Sequence, residues 1–346
     1  MSKAGEPRAT RGAMSTLAKV LLWTFGVTVV LVVAAYIAFQ ISPWPGALIL
    51  RAAFNRGAIS TARALEKHVP SGTAAQLHQH YDVTDGDAYL DVFYPSEIAP
   101  SDRALLTIVW VHGGGWLSGS KEHIANYARI LANKGYTVVG VDYSLAPGKT
   151  YPTPVRQVNT ALAYLVRHAT RLHIDPGRFV LAGDSGGAHI AAQLATLVSV
   201  SSYATALGIV PSIDRPQLAG VLLYCGPYDV HRGNLAGAFG SFLRTVLWSY
   251  SGGKDFLNNP RFATASVINY VTSAFPPTFI SVGNADPLAP QSYAFADALV
   301  SRGVHVDSLF FPNAYMPALP HEYQFDLDTD AGRLALARSV QFLSAR

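Results

Sequence analysis

The feature that most constrains the fold is the pentapeptide Gly183-Asp184-Ser185-Gly186-Gly187, which has the pattern G-x-S-x-G. It follows a short β-type run at residues 178–182 and precedes a small-residue, helix-compatible run at 188–195. A strand, a sharp turn and a helix form the context in which a serine is exposed as a nucleophile. Glycines flank the serine because side chains there would collide with neighbouring strands. The pentapeptide therefore predicts an α/β fold with Ser185 at a strand–helix turn.

Composition narrows the class of protein. The chain has 346 residues, which is enough for one large α/β domain with appendages. Its single cysteine, Cys225, excludes an intrachain disulfide, so stability must come from a packed core. The formal net charge is +4, but the basic residues are scattered and form no Lys/Arg run. We therefore expect no nucleic-acid partner.

Residues 20–41 contain no charge and only three clearly polar side chains, and Pro43 and Pro45 follow them. Roughly 22 residues give a helix of about 33 Å, which is enough to cross the hydrocarbon core of a bilayer. A buried core helix is seldom this long and uniformly apolar. A cleaved signal peptide is the stronger alternative, but no convincing A-x-A cleavage site precedes Pro43. The pattern favours an uncleaved signal anchor.

Flanking charges predict the orientation of this segment. The basic tail at residues 1–19 carries four cations, and the opposite side has Arg51 and Arg56 nearby. Lys and Arg are enriched on the cytoplasmic side of membrane spans. We therefore expect a single-pass protein with a cytoplasmic N-terminus and a catalytic domain on the extracytoplasmic side. The four cations of the tail are Lys3, Arg8, Arg11 and Lys19.

The rest of the chain alternates strand-like and helix-like segments. A strand–turn–strand pattern at residues 81–94 marks the start of a catalytic domain, which we place at 80–346. Alternation of this kind predicts a mainly parallel sheet with helices on both faces. Further strands are expected at 105–111, 136–142, 178–182, 218–224, 276–283 and 304–311, and helices at 155–172, 290–302 and 332–343.

Two segments do not fit the alternation. Residues 42–79 are mostly helix-compatible, and we interpret them as a linker and helical cap. Residues 230–272 lack a strong strand and separate two core strands, so they predict an insertion above the strand ends that forms a lid or pocket wall. Aromatic side chains that could line a pocket or pack the core are Trp116, Phe239, Phe242, Trp248 and Tyr250.

A serine hydroxyl needs a base to remove its proton and an acid to orient that base. In folds with this serine turn, the acid follows the serine in the chain and the histidine comes last. Asp286 follows a predicted buried strand and is the first candidate acid, with Asp229 as the alternative. His321 lies between the last strand and the closing helix and is the candidate base. The histidines that fit this order less well are His189, His231 and His305.

The segment His112-Gly113-Gly114-Gly115-Trp116 follows another predicted buried strand. Acyl transfer builds negative charge on a carbonyl oxygen, and unobstructed backbone N–H groups stabilise that charge. We expect the amides of Gly114, Gly115 and Gly186 to form this oxyanion hole, with His112 holding the loop. A phosphate-binding loop would need a Lys-Ser/Thr signature, which is absent here.

The two glycine motifs, at residues 112–116 and 183–187, together resemble the hormone-sensitive-lipase-like branch of the α/β-hydrolases. The runs LDVFYP at 90–95 and DYSLAP at 142–147 strengthen the likeness to bacterial carboxylesterases of the feruloyl-esterase-like group. The resemblance covers roughly residues 80–346. Two departures are Gly186, where the family usually has alanine, and Glu322, where the base is often followed by glycine.

The resemblance implies hydrolysis of carboxylic esters through an acyl-enzyme, with no metal and no cofactor. It also implies a triad of Ser185, Asp286 and His321. The expected substrate is a small-molecule or lipid-like ester. An acyltransferase or an amidase or formamidase would use the same triad, and a non-catalytic binding protein could share the fold.

Overall fold

The computed structural model describes residues 14–233 and 235–346. The chain divides into two compact units, of which the first ends at Pro45 and the second is Gly46–Arg346. The strands are β1 (Thr73–His80), β2 (Tyr89–Pro95), β3 (Leu105–Val111), β4 (Thr137–Val141), β5 (Ile174–Asp184), β6 (Leu218–Tyr224), β7 (Thr278–Val282) and β8 (Val306–Phe310). The helices are α1 (Thr16–Ile41), α2 (Trp44–Leu65), α3 (Ala125–Ala132), α4 (Thr153–Arg167), α5 (Ser185–Ser199), α6 (Ser201–Leu207), α7 (Gly237–Ser251), α8 (Pro260–Ala263), α9 (Ala289–Val300) and α10 (Asp330–Ser344).

The eight strands form one sheet in the order β1-β2-β4-β3-β5-β6-β7-β8. Strand β2 pairs antiparallel with both β1 and β4, and every later pairing is parallel. Parallel neighbours require crossover connections, which the helices supply. The prediction of a mainly parallel α/β sheet is confirmed, and the carboxyl ends of β3, β5 and β7 lie at one edge of the sheet.

Both faces of the sheet are buried, which explains the continuous apolar runs in its central strands. Along β3, Leu105, Val109 and Val111 belong to one core cluster. The alternate residues Leu106, Ile108 and Trp110 belong to a second cluster on the opposite face. Helices α4, α5 and α9 contribute to the first core, whereas α3 and α10 contribute to the second. The helices therefore cover both faces, as the sequence predicts.

The first strand is where the sequence prediction is wrong. We expected a strand at residues 81–84, but β1 is Thr73–His80 and the intervening residues form the turn, in which Tyr81 N–H donates to Ala88 O at 2.9 Å. Strand β1 is a half-exposed edge strand with the sequence TAAQLHQH. It has no buried apolar face, so it lacks the alternation that identifies strands in a sequence.

Helix α1, taken by itself, is long and apolar enough to span a membrane, and none of its residues is buried. It begins four residues before the predicted span and ends with it at Ile41. Its polar side chains bond within the helix: Thr24 Oγ1 donates to Leu21 O at 3.0 Å and Thr28 Oγ1 to Thr24 O at 2.9 Å. Such internal bonds make hydroxyls compatible with an apolar environment. Lys3, Arg8 and Arg11 of the predicted basic tail lie outside the described residues.

Candidate active site

Ser185 lies at the turn from β5 into α5 and has a backbone φ of 51°, in the left-handed region. Its glycine neighbours allow this sharp turn. A Cβ atom at Gly187 would lie 2.0 Å from Val111 O, and one at Gly183 would lie 2.6 Å from Gly187 C. These approaches are shorter than any real carbon contact, so side chains are excluded on both sides of the serine. The turn presents Ser185 at the carboxyl edge of the sheet.

The three residues predicted as nucleophile, base and acid are brought together. His321 Nε2 lies 2.9 Å from Ser185 Oγ, and His321 Nδ1 lies 2.7 Å from Asp286 Oδ2. The other carboxylate oxygen, Asp286 Oδ1, accepts a 2.7 Å bond from the Leu288 backbone N–H. Because a carboxylate oxygen can only accept, Nδ1 carries the proton and Nε2 is free to accept one from the serine.

A side-chain bridge joins the loops that carry the acid and the base. Asn284 Oδ1 accepts from Leu319 N–H at 2.8 Å, and Asn284 Nδ2 donates to Tyr315 O at 3.0 Å. The backbone adds a bond from Ala285 N–H to Leu319 O at 3.0 Å. Although Asp286 and His321 are far apart in sequence, these bonds fix their loops side by side.

The environment of His321 favours its charged form. Burial alone would lower the pKa of this imidazole, but the hydrogen bond to Asp286 and the nearby Glu322 raise it well above the ordinary histidine value. Burial also raises the pKa of the Cys225 thiol to about 11, so the thiol is neutral near pH 7. An imidazole of raised pKa accepts a proton readily once it is deprotonated.

The glycine loop after β3 has the left-handed conformations that its composition suggests. Gly114 and Gly115 have φ values of 100° and 60°. A Cβ atom at Gly114 would lie 2.3 Å from Ser118 O. His112 supports the loop, since its Nδ1 bonds Gly113 O at 2.8 Å and its ring stacks on Tyr143 at 4.3 Å. Burial lowers the pKa of His112 to about 4, so this ring is neutral and structural.

The glycine loop lies against the start of α5, beside the serine. Trp116 Nε1 donates to Gly186 O at 3.1 Å, and a Cβ atom at Gly186 would be 3.4 Å from Gly115 N. In the described part of the chain, the N–H groups of Gly114 and Gly115 have no protein acceptor. The N–H of Gly186 is in the first turn of α5, where helix amides lack intrahelical partners. The three amides predicted as oxyanion donors are thus adjacent and unpaired.

Other candidates have structural surroundings. Asp229 lines the same cavity, but its carboxylate accepts from Ser266 Oγ at 2.8 Å and approaches Arg232 Nε at 3.6 Å. His189 is buried, and its Nε2 bonds Ala265 O at 2.7 Å. His305 directly precedes β8 rather than lying within it. The geometry therefore joins Asp286, and not Asp229, to the base.

A cavity of about 470 Å³ opens above Ser185 and has mostly apolar walls. One wall is the face of α2 that carries small residues and Phe54, and another is α7. Three predicted aromatics, Trp116, Phe239 and Phe242, line the cavity. The other two do not: Tyr250 is buried and stacks on Trp116 at 4.4 Å, and Trp248 packs beneath Lys254. The α2 residues that line the cavity are Ala53, Phe54, Gly57, Ala58 and Thr61.

Helix α2 is attached to the glycine loop by polar contacts. Arg51 Nε donates to Leu117 O at 2.6 Å, and its guanidinium also donates to Ala146 O at 2.9 Å. Ser118 Oγ donates to Asn55 Oδ1 at 2.6 Å. Sequence reasoning identified this segment as a cap but none of its lining or anchoring residues. The repeat of small residues at positions 53, 57 and 61 is a signal that could have identified the cavity face.

Sequence reasoning also missed two acidic residues beside the serine and the histidine. Asp184 is buried, and its Oδ1 accepts a 2.7 Å bond from Trp110 Nε1. Glu322 Oε1 lies 3.8 Å from His321 Nε2. Both residues line the cavity. The only sequence signal was Glu322 in a position where the resembled family often has glycine.

Comparison with known proteins agrees with this architecture. Residues 90–299 match the BD-FAE family. An esterase of Gibberella moniliformis is 27% identical over 260 residues, covering 71% of this chain and 77% of that protein. Esterase LipQ of Mycobacterium tuberculosis is 29% identical over 282 residues, covering 79% of this chain but only 63% of LipQ. The chain therefore matches less than two thirds of the length of LipQ.

Solved structures show the same fold at low identity. Esterase B from Lactobacillus rhamnosis, in an inhibited form, superposes with a TM-score of 0.72 at 22% identity, covering 86% of this chain and 96% of that one. A hyperthermophilic esterase from Pyrobaculum calidifontis superposes with a TM-score of 0.69 at 21% identity, covering 91% of this chain and 97% of that one. The family match extends over more than half of the sequence. The chain belongs to the BD-FAE family of hormone-sensitive-lipase-like and feruloyl-esterase-like α/β-hydrolases.

Proposed function

We propose that this chain is a carboxylic ester hydrolase that works through an acyl-enzyme on Ser185. The observation that carries the proposal is the continuous hydrogen-bonded relay from Ser185 Oγ through His321 to Asp286, with distances of 2.9 and 2.7 Å. Relatives named esterases support the same reaction class. No feature of the site favours acyl transfer, amide hydrolysis or a purely binding role over ester hydrolysis.

In the acylation step, Ser185 Oγ attacks the acyl carbon while His321 Nε2 takes its proton. The carbonyl oxygen becomes an oxyanion and receives hydrogen bonds from the amides of Gly114, Gly115 and Gly186. His321, now an imidazolium stabilised by Asp286, gives its proton to the leaving alkoxide. The bond between the acyl carbon and the alcohol oxygen breaks, and the acyl group stays on Ser185.

Deacylation repeats these steps with water. His321 Nε2 takes a proton from a water molecule that attacks the acyl carbon, and the same amides stabilise the second oxyanion. The imidazolium then returns a proton to Ser185 Oγ as the acid leaves. The neutral imidazole is restored, with its tautomer fixed by Asp286 Oδ2.

The cavity supports an apolar, lipid-like acyl group as part of the substrate. Its volume of about 470 Å³ is within the usual range for small-molecule sites. Phe54, Phe242 and Val246 line it, and the rings of Phe54 and Phe242 meet edge to face at 5.8 Å. An extended alkyl chain would remove these surfaces from water at roughly 25 cal/mol per Å² of apolar area. The side chains of Phe54, Phe242 and Val246 offer no partner to a charged acyl group.

We assign the domains by their relation to this cavity. Residues 80–346 form the catalytic domain, residues 42–79 supply the cap through α2, and residues 230–272 act as a lid through α7. Both helices contribute cavity-lining side chains, which supports the assignment. The edge strand β1 lies within the cap segment by sequence, although it pairs with β2.

For the N-terminal segment we propose an uncleaved single-pass anchor. The length and exposure of α1 support a membrane span. The excess of basic residues before it supports a cytoplasmic N-terminus and an extracytoplasmic catalytic domain. Protease added outside intact spheroplasts should then digest the catalytic domain. Protection of that domain until the membrane is opened would contradict the orientation.

The reaction is tested by hydrolysis of nitrophenyl esters by the wild type and by Ser185→Ala. We expect the wild type to hydrolyse short acyl esters and Ser185→Ala to lose at least about 10⁴-fold in kcat/KM. Matched amide substrates and added acceptor alcohols separate ester hydrolysis from amide hydrolysis and acyl transfer. Ester hydrolysis that survives Ser185→Ala would refute the mechanism.

A further inference from the structure

The residue after the proposed base has an unusual backbone. Glu322 has φ 60° and ψ 29°, in the left-handed region that glycine fills without strain. A long side chain there costs of order 1 kcal/mol, and such strain persists only where the surroundings hold it. Glu322 is therefore held in place by contacts of its side chain, because glycine would satisfy the backbone alone.

Those contacts lead to a second carboxyl group. The Glu322 carboxyl group lies beside that of Asp184, which directly precedes the nucleophile, and its proximity helps to raise the pKa of Asp184. Both carboxyl groups lie over the glycine loop: a Cβ atom at Gly113 would be 2.2 Å from Asp184 Oδ2 and 2.8 Å from Glu322 Oε1. The pair therefore joins the histidine loop, the serine turn and the glycine loop at one point.

Two carboxylates cannot bond each other without a proton, since an ionised carboxylate only accepts. Trp110 Nε1 donates to Asp184 Oδ1 at 2.7 Å. Among the described residues, no lysine or arginine forms an ion pair with either carboxyl group. Burial, and then the nearby Glu322, raise the pKa of Asp184 well above the usual aspartate value. One proton shared between the two groups satisfies all of these observations.

Other titratable groups face Asp184 and Glu322, but none of them joins the two carboxyl groups in place of a shared proton. His321 Nε2 lies 3.8 Å from Glu322 Oε1, but it is engaged with Ser185 Oγ. Cys225 faces Glu322 as a neutral thiol, since burial raises its pKa to about 11. Tyr143 faces Asp184, and its hydroxyl donates to His112 O at 2.9 Å. Asp286 lies on the far side of the imidazole.

We propose that Glu322 and Asp184 form a proton-sharing carboxyl pair that positions His321 and the glycine loop against Ser185. Both are positioning residues for the proposed ester hydrolysis, and the inference rests on that proposed function for its kinetic consequences only. Glu322 is covalently adjacent to His321, and Asp184 to Ser185, so the distance between the two carboxyl groups limits the separation of base and nucleophile. Gly113, packed beneath both carboxyl groups, extends the same constraint to the oxyanion loop.

The kinetic test compares Glu322→Gln with Glu322→Ala in the full chain. The glutamine amide can donate to the Asp184 carboxylate without a proton, so we expect kcat to stay within about threefold of the wild type. Alanine leaves Asp184 without this partner, and a shift of about 1 Å at the base costs roughly 100-fold. We therefore expect Glu322→Ala to lose about 10- to 100-fold in kcat with little change in KM. Equal rates for wild type and Glu322→Ala would overturn the proposal.

The shared proton is tested by stability, which needs no substrate. Above about pH 5 an unfolded chain has released both carboxyl protons, whereas the native pair keeps one. The native state then binds more protons, so its stability falls as pH rises towards the raised pKa of Asp184. In Glu322→Gln the amide can donate to the Asp184 carboxylate, which favours its ionised form and weakens this pH dependence. We compare the unfolding constant of the wild type with that of Glu322→Gln. The ratio of the two constants should rise, by up to tenfold per pH unit, between pH 5 and that pKa.

The measurement is urea unfolding of the full chain in detergent micelles from pH 5 to pH 8, followed by tryptophan fluorescence. Glu97→Gln, at an exposed glutamate, is the matched control and should stay parallel to the wild type across the range. If the free energies of unfolding of the wild type and Glu322→Gln changed with pH in parallel, the proposal of a shared proton would be overturned. If no ester were hydrolysed, the proposed function would fail, while these curves would still decide whether the pair exists.

Discussion

At the scale of single residues, the serine turn depends on positions where any side chain would collide with the backbone. The closest approach is at Gly187, where a Cβ atom would lie 2.0 Å from Val111 O. We expect Gly187→Ala to destabilise the protein by about 2 kcal/mol or more, because either β3 or α5 must move. Gly253→Ala is the control, since nothing lies within 4 Å of its Cβ position. Equal shifts of the urea midpoint in the two variants would contradict this account of the turn.

The pH dependence of activity also depends on a single contact, the hydrogen bond between His321 and Asp286. His321 must be neutral to accept the serine proton, so kcat/KM falls as pH drops through the pKa of this imidazole. The bond to Asp286 helps to raise that pKa. We therefore expect Asp286→Asn to move the acid limb of the pH–rate profile to lower pH while reducing kcat by about 10⁴-fold. An acid limb that does not move would show that Asp286 is not the partner of the base.

How much of the site can be predicted from the sequence differs between residues. Ser185 has a local motif, and Asp286 and His321 follow strands in a fixed order, so spacing and chain order indicate them. The pair of Glu322 and Asp184 has no such signal, because their contact depends on the conformation of a loop after β8. The left-handed backbone at Glu322 and the collision at Gly113 appear only in three dimensions.

At the scale of elements, burial explains which predictions succeed. Strands β3 and β6 have the predicted bounds, because strands buried on both faces are continuous apolar runs with clear ends. Edge strand β1 was predicted in the wrong place because its polar sequence has no buried face. The predicted helix at 155–172 ends earlier, at Arg167, and is followed by a turn that leads into β5.

Helix α2 offers a test of the cavity as an acyl site. Gly57 lines the cavity and has nothing within 4 Å of its Cβ position. Gly57→Leu should fill part of the cavity while raising helix propensity by up to about 1 kcal/mol, so lost activity cannot be attributed to unfolding. We expect kcat/KM for decanoyl esters to fall about tenfold or more relative to butyryl esters.

Ser60→Leu is the matched control for this substitution. It adds the same side chain to the exposed face of α2, away from the cavity. Its ratio of decanoyl to butyryl activity should equal that of the wild type. An unchanged chain-length profile in Gly57→Leu would mean that the acyl group binds elsewhere.

At the scale of the whole molecule, the chain divides into two units that differ in how far their side chains are buried. Helix α1 has no buried residues, whereas Gly46–Arg346 contains both core clusters and every site residue. We expect the full chain to remain in membranes after alkaline carbonate extraction. A chain that begins at Gly46 should be soluble and should hydrolyse short acyl esters at a rate within about threefold of the full chain in detergent, because short soluble esters need no membrane. Release of the full chain by carbonate would contradict the anchor.

The central claim is that Ser185 is the nucleophile of an assembled relay, and covalent capture tests it most directly. A fluorophosphonate probe should attach to one site in the full-length protein, and peptide mass spectrometry should place the adduct on the Ser185 Oγ. Ser185→Ala should remain unlabelled, and His321→Ala should be labelled at least about 10³-fold more slowly, because the base no longer activates the hydroxyl. A native, folded protein that is not labelled, or an adduct on another residue, would contradict the account.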